Sequence, residues 1–437
     1  MEFLRGFPDL EAFTRRYALL RREGSVRMKR SAVPDFGAGR GKGAGRGEGA
    51  GNGGSAARGE GACGGGDDVP DFGAGRGEGA DRPGAALEPL FAPGRAWPDV
   101  GERMERYRRA AVELASSVAV RSLRGAGLAP RQVTHLVTVS CTGLMAPGLE
   151  CELAEGLGLR DDAARHTVNF MGCYAMFHAL RLADLICRGD ADAVVLVVSV
   201  ELNTLHFQPR NRPDDLLGTY LFNDGAAACV VETMAGGGVG RWAARGEGLG
   251  ASPVPPMAGS SAGTAGLAVG DAAGFVLRRF RSKLVPEGKE EMRWDVGPNG
   301  FDLRLSARVP KVLEAGVAPV VEALLADGGV EGLAEVVHLA VHPGGKAVLQ
   351  SFCRALGLDE RVVEGSMHVL REYGNMSSAT ILFVLQDLLE RHPGRPGPVV
   401  AAAFGPGLTI ETALMDMVCV PADDPDAQTA NARSASA

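Results

Sequence analysis

The chain has 437 residues, 53 of them acidic against 46 basic, for a net charge of −7, with 45% apolar and 23% charged residues. That balance excludes a protein that works by coating nucleic acid or an anionic membrane. The composition is that of an ordinary soluble globular chain long enough for two or three domains, and no apolar run nears the roughly eighteen residues of a spanning helix.

The N-terminus, Met1-Glu2-Phe3-Leu4-Arg5, lacks a signal-peptide pattern. The eight cysteines are scattered, without a CxxC pair or a histidine at zinc spacing. Reduced thiols in a cytoplasmic protein are expected rather than a disulfide scaffold or a metal site.

From residue 37 to 84 the chain is Gly, Ala, Arg and Glu with almost nothing to bury, and residues 33–41 (VPDFGAGRG) return at 69–77. Two copies without a hydrophobic face do not make a solenoid. A duplicated, disordered low-complexity insertion is expected; an RGG-type RNA-binding segment is opposed by the scarcity of aromatics and by Glu balancing Arg. Residues 102–125 then carry apolar positions at helical spacing. Residues 133–140 (VTHLVTVS) predict a buried strand, 173–188 a helix, and 192–200 (DAVVLVVSV) a strand whose nearly continuous apolar run suits a sheet covered on both faces. A break at 235–238 (AGGG) separates two halves, 1–36 with 85–234 and 235–421. In the second, 311–326 and 377–391 read as helices, and 336–341, 399–403 and 408–415 as strands. The tail 422–437 is expected to be disordered. Alternation of this kind predicts a layered α/β fold.

Three segments carry candidate chemistry. In NFMGCYA (169–175), Cys173 follows a glycine at the start of a predicted helix, where free N–H groups favour a thiolate. In VHPGGK (341–346), His342 ends a strand before a tight turn. In EYGNMSSA (372–379), Asn375 lies in a loop before a helix. Each alone has a bland reading as core residue or turn. Together Cys, His and Asn can activate a thiol and hold an oxyanion.

In this order and with these flanks the segments resemble the type III polyketide synthases, the chalcone synthase-like family of thiolase-fold condensing enzymes, in their bacterial form. The resemblance runs from about Phe13 to Val420 outside the insertion. It also rests on VSCTG (139–143), APG (146–148), LGTYLFNDGAA (217–227) and FGPGLTIET (404–412). It implies two similar α/β halves in a five-layer αβαβα arrangement, a homodimer, and no metal or cofactor beyond the substrates malonyl-CoA and an acyl-CoA starter. Nucleic-acid and membrane partners are not implied.

The resemblance implies roles as well. Cys173 is expected to hold the acyl chain, paired with His342 as thiolate and imidazolium, so that its alkylation persists well below pH 8. Asn375 with His342 would hold the malonyl thioester carbonyl during decarboxylation. Phe222 matches a gatekeeper. Leu303 stands where the family has a second phenylalanine, with Phe301 two residues away. Cys141, Thr142, Asn203, His206 and Ser377 fall at cavity positions, and Gly405, Pro406 and Gly407 would shape the cyclisation cavity. Arg15, Arg16 and Arg22 fall in the CoA-phosphate region, and Ala146 replaces a methionine that reaches across the dimer. The strand that opens the family has no counterpart before Phe13, so unpaired backbone and exposed apolar surface are expected on one sheet. The alternatives are a single condensation of the ketoacyl synthase III or HMG-CoA synthase kind, and a truncated non-catalytic homologue.

Overall fold

The computed structural model describes residues 90–91, 95–208, 210, 212–234, 264–268, 273–392 and 394–419. The Gly-rich stretch, the break at 235–238, the tail from 422 and Arg15, Arg16 and Arg22 lie outside the described residues.

The first half is built from α1 (Val100–Gly125), β1 (His135–Ser140), α2 (Leu149–Gly156), β2 (Ala164–Asn169), α3 (Ala175–Gly189), β3 (Val194–Glu201), α4 (Pro213–Leu221) and β4 (Gly225–Met234). Helix α1 starts where Asp99 accepts the Glu102 N–H and Glu102 accepts the Asp99 N–H, a reciprocal cap worth about 1 kcal/mol. Its buried stripe, including Tyr107, Ala111, Leu114 and Ala115, packs on the outward side chains Leu136, Leu196 and Val198 of β1 and β3. Strand β3 is buried at every position, as its nearly continuous apolar run requires.

The second half comprises β5 (Thr264–Ala268), β6 (Ala273–Leu284), the hairpin β7 (Met292–Gly297) and β8 (Gly300–Leu305), α5 (Val309–Asp327), β9 (His338–Val341), α6 (Lys346–Leu356), α7 (Glu364–Glu372), α8 (Thr380–Arg391), β10 (Gly397–Gly405) and β11 (Thr409–Cys419). Inward side chains of both halves, among them Val137, Val195, Ala401 and Met415, meet on α3 and α8 in one central core. The outer face of the second half, with Val400, Ala402 and Leu414, is covered by α5 and α6. The layers are therefore helix, sheet, helix, sheet, helix. Helix α3 is apolar enough to serve as a central layer because Met176, Phe177, Ala179 and Leu180 are all fully buried.

Among the described residues nine strands bond in the order β2-β1-β3-β4-β5-β6-β11-β10-β9. In one half β1 is parallel to β3, and β4 is antiparallel to both β3 and β5. In the other β9 is parallel to β10, and β11 is antiparallel to both β10 and β6. By this internal match β5 holds in the first half the place β6 holds in the second. Of the edge expected to lie unpaired for want of the opening segment, β5 covers Val230 to Met234 of β4, and residues 225–229 pair only with β3 among the described residues. Strand β5 also pairs with β6, so the two half-sheets run into each other.

Candidate active site

The site forms where the C-terminal ends of β9 and β10 meet the start of α3. A single 3-10 turn, Gly172–Tyr174, precedes α3 and carries Cys173. Gly172 has φ +79°, and a Cβ there would lie 2.3 Å from Pro406 Cδ. Only glycine combines that backbone with that contact. The Gly405-Pro406-Gly407 turn thus packs behind the nucleophile's own turn, and Tyr174 Oη donates to Pro406 O at 3.4 Å.

His342 extends the β9–β10 pairing by donating its N–H to Ala402 O at 2.7 Å. It is completely buried, and neither ring nitrogen has a hydrogen-bond partner among the described residues. Asn375 is pinned by its backbone to the segment after α4: its N–H donates to Leu221 O at 3.0 Å, and its carbonyl accepts the Asn223 N–H at 2.9 Å. Its Oδ1 accepts the Ser377 N–H at 2.9 Å, which leaves the Nδ2 hydrogens to point elsewhere. Cys173 Sγ lies 3.9 Å from Asn375 Oδ1. The structure thus brings the thiol of one half to the carboxamide of the other.

Burial dominates the electrostatics. It pushes the Cys173 thiol up to about 12, against hydrogen bonds from Ser377 and Asn375. It pulls His342 down to about 3. Both shifts favour the uncharged thiol and the uncharged ring. Both directions run against the thiolate–imidazolium pair expected from the sequence, since a buried charge needs a partner at hydrogen-bond distance and neither ring nitrogen of His342 has one among the described residues.

Beside this centre lies a cavity of about 320 Å³. Asn203, His206, Phe222 and Leu303 line it, with Trp294 and Phe301 from the β7–β8 hairpin. Phe222 stands at the boundary, since it lines the cavity and its backbone forms a bridge with Asn375. Leu303 fills the space over Gly218, whose absent Cβ would fall 2.6 Å from Leu303 Cδ2. Cys141, Thr142, Ser377, Gly405, Pro406 and Gly407 do not line this cavity; the Cys141 and Thr142 carbonyls accept from its lining residues Trp294 and His206. His206 Nδ1 accepts the Phe301 N–H at 3.0 Å, so Nε2 carries the proton and donates to Thr142 O at 2.7 Å. Burial holds this ring down to about 4, and it stacks on Phe301 with centroids 4.0 Å apart. It is an uncharged aromatic wall.

Two supporting residues have no counterpart among the sequence candidates. Glu201, fully buried at the end of β3, accepts from Cys141 N–H and Thr142 Oγ1, each at 2.9 Å, and from Ser378 Oγ. Burial raises its pKa and these donors oppose the shift. It ties the Cys141 turn to the loop after Asn375. Its signal was an acid closing an otherwise apolar run, VVLVVSVE. Arg103, also fully buried, donates from Nε to Pro98 O at 3.1 Å and from Nη1 to Phe207 O at 3.0 Å and to Leu205 O. It shapes the turn that carries Asn203 and His206. Periodicity alone placed position 103 in a helix without marking its function.

A thiol on a tight turn at the junction of two α/β halves, with a buried histidine and a carboxamide from the other half, defines the condensing-enzyme class of the thiolase-like fold. Residues 94–234 match the N-terminal domain of chalcone and stilbene synthases, and residues 277–419 match the C-terminal domain. The chain is 30% identical over 321 residues to the alpha-pyrone synthesis polyketide synthase-like Pks18 of Mycobacterium tuberculosis, spanning 73% of this chain and 74% of that one. It is also 30% identical over 318 residues to 3,5-dihydroxyphenylacetyl-CoA synthase of Streptomyces toyocaensis, covering 72% and 74%. The 1,3,6,8-tetrahydroxynaphthalene synthase structure from Streptomyces coelicolor superposes with TM-score 0.62 at 28% identity, over 75% of this chain and 83% of that one. The PKS-I structure from the brown alga Ectocarpus siliculosus gives 0.65 at 28%, over 77% and 83%. The chain belongs to the chalcone and stilbene synthases, the type III polyketide synthase family. It is an acyltransferase-class enzyme of iterative polyketide synthesis, and the single-condensation alternative is not favoured.

Proposed function

We propose that the enzyme loads a short acyl group from acyl-CoA onto Cys173 and extends it with malonyl-CoA to a small aromatic or pyrone product. The observation that carries this reading is the approach of Cys173 Sγ to Asn375 beside a half-open aromatic cavity. In each cycle malonyl-CoA loses CO2, and the electron pair of the broken C–C bond stays on the acetyl-CoA fragment as an enolate. The Asn375 Nδ2–H and a His342 N–H donate to the enolate oxygen. The enolate carbon attacks the Cys173 thioester carbonyl, the C–S bond breaks with its electron pair on the Cys173 sulfur, and the lengthened chain, now on CoA, is passed back to Cys173 with release of free CoA before the next cycle. His342 takes the thiol proton when Cys173 is acylated.

The size of the cavity supports the product class. At about 320 Å³ it sits at the small end of ligand pockets, roughly 300–1,000 Å³. Trp294, Phe301 and the uncharged His206 offer flat apolar walls to a ring. Incubation with malonyl-CoA and short, long and aromatic acyl-CoAs tests this. A Cys173 adduct and a cyclised product from short starters are expected. A product from long-chain starters alone would refute the size argument, and a linear product of one condensation would restore the single-condensation reading.

We also propose a homodimer built on the first half. Strand β2 ends the sheet with its second edge unpaired among the described residues, and Leu144 and Leu185 of the same half are exposed. Sedimentation of the same preparation reads the mass.

The electrostatics predict the pH response of the resting enzyme. With Cys173 raised and His342 lowered, the thiolate fraction grows with pH throughout the range from about 6 to 10. Alkylation of Cys173 by iodoacetamide should therefore fall steadily as pH drops through that range. A plateau below about pH 8 that His342→Ala abolishes would instead establish a preformed ion pair.

A further inference from the structure

We propose that Asn223 is the positioning residue that sets the Asn375 carboxamide for decarboxylation, and that it couples this carboxamide to the cavity wall. The inference rests on the role given to Asn375 above. Asn223 touches the 373–375 loop at three points. Its Nδ2 donates to Tyr373 O at 2.7 Å. Its backbone N–H donates to Asn375 O at 2.9 Å. Its carboxamide lies directly over Gly374, where a Cβ would meet Nδ2 at 2.3 Å. Gly374 has φ +77°, so the loop turns sharply under that side chain in a conformation only glycine adopts without strain.

On its other side the Asn223 carbonyl accepts Asn203 Nδ2 at 2.7 Å, and Asn203 lines the cavity. A continuous chain of hydrogen bonds therefore runs from the cavity wall through Asn223 to Asn375. The side-chain bond to Tyr373 is the part a mutation can remove, since the backbone bonds persist with any residue at 223. Without it the loop keeps its register but loses the lid on Gly374. Asn375 Nδ2 then samples directions away from the enolate oxygen, and small misplacements of a donor are expensive in rate. The thiol of Cys173 sits on a different turn, held by Pro406 and Cys141: the Gly172 N–H donates to Cys141 Sγ at 3.0 Å. Its one link to Asn223 is the long contact of Sγ with Asn375 Oδ1 at 3.9 Å, so alkylation should change far less than decarboxylation.

Two variants test this. Asn223→Asp keeps the shape and replaces the donor with an acceptor facing a carbonyl, and Asn223→Ala removes the group. Each is assayed for malonyl-CoA decarboxylation without starter and for alkylation of Cys173 at fixed pH, with melting checked by circular dichroism. In both, kcat for decarboxylation should fall about five- to tenfold, with KM and the alkylation rate within about twofold of the parent. Decarboxylation unchanged in both variants overturns the proposal. So does a loss matched by an equal loss of alkylation, which would mark general loosening of the site. Asn375→Ala is run beside them: if it leaves decarboxylation intact, the role of Asn375 itself is wrong and the inference falls with it.

Discussion

Replacement of Cys173 by alanine is expected to abolish acyl loading and product formation, by at least about 10⁴-fold. No other thiol among the described residues can take over from the same place. Cys141 is near, yet it is buried, it accepts the Gly172 N–H, and burial raises its pKa well above the ordinary thiol value, with the Glu201 carboxylate adding to the shift. The variant should keep its fold, since one sulfur is lost from a turn held by Gly172 against Pro406. It should also keep decarboxylating malonyl-CoA, because the groups that face the enolate are untouched. Intact mass after incubation with acyl-CoA reads the first expectation, and acetyl-CoA formation reads the second. An acyl adduct in the variant would move the nucleophile to another residue. Loss of decarboxylation together with loading would show that the thiol takes part in both steps.

Asn375→Ala should divide the two half-reactions the other way. Loading of Cys173 persists, and malonyl-CoA decarboxylation falls by roughly 10²–10³, the usual loss for one positioned oxyanion donor. The loop itself should survive, because Asn375 is held by backbone bonds to Leu221 and Asn223 and Thr380 Oγ1 continues to accept the Met376 N–H at 2.8 Å. What is lost besides Nδ2 is the Oδ1 that accepts from Ser377, a residue at φ +50°. Part of the effect on rate is therefore orientation rather than charge. Stopped-flow loading and steady-state decarboxylation, measured on one preparation, separate the two. Equal loss in both assays would refute the division of labour.

Much of this was legible in the chain. Apolar periodicity marked α1, β1, β3, α5 and α8 because each buries a continuous stripe or run, and these elements build the layered core. Strand β2, ARHTVN, escaped because it is an edge strand with alternating exposure. Strand β6 carries Arg278, Arg279, Arg281 and Lys283 along with its apolar residues, so composition hid it. Hairpin β7–β8 pairs with no other strand among the described residues, and no apolar run marked it. That hairpin supplies Trp294, which no motif announced, although Trp294 Nε1 donates to Cys141 O at 2.7 Å. Short motifs singled out Cys173, His342 and Asn375 by their flanking glycines, and the structure brings Cys173 and Asn375 together. They could not show protonation: the resting charge of Cys173 and His342 depends on how deeply each is buried, which is a property of the packed whole.

The position of β5 has a consequence for how such a chain is inherited and assembled. A strand that bonds to both half-sheets makes each half the template for the other's edge. A gene split between them would leave β4 open on one product and the β5–β6 hairpin open on the other, so neither fragment would be a self-sufficient module. Duplication can create a two-fold repeat of this kind, but once one strand is shared the repeats can no longer be shuffled apart.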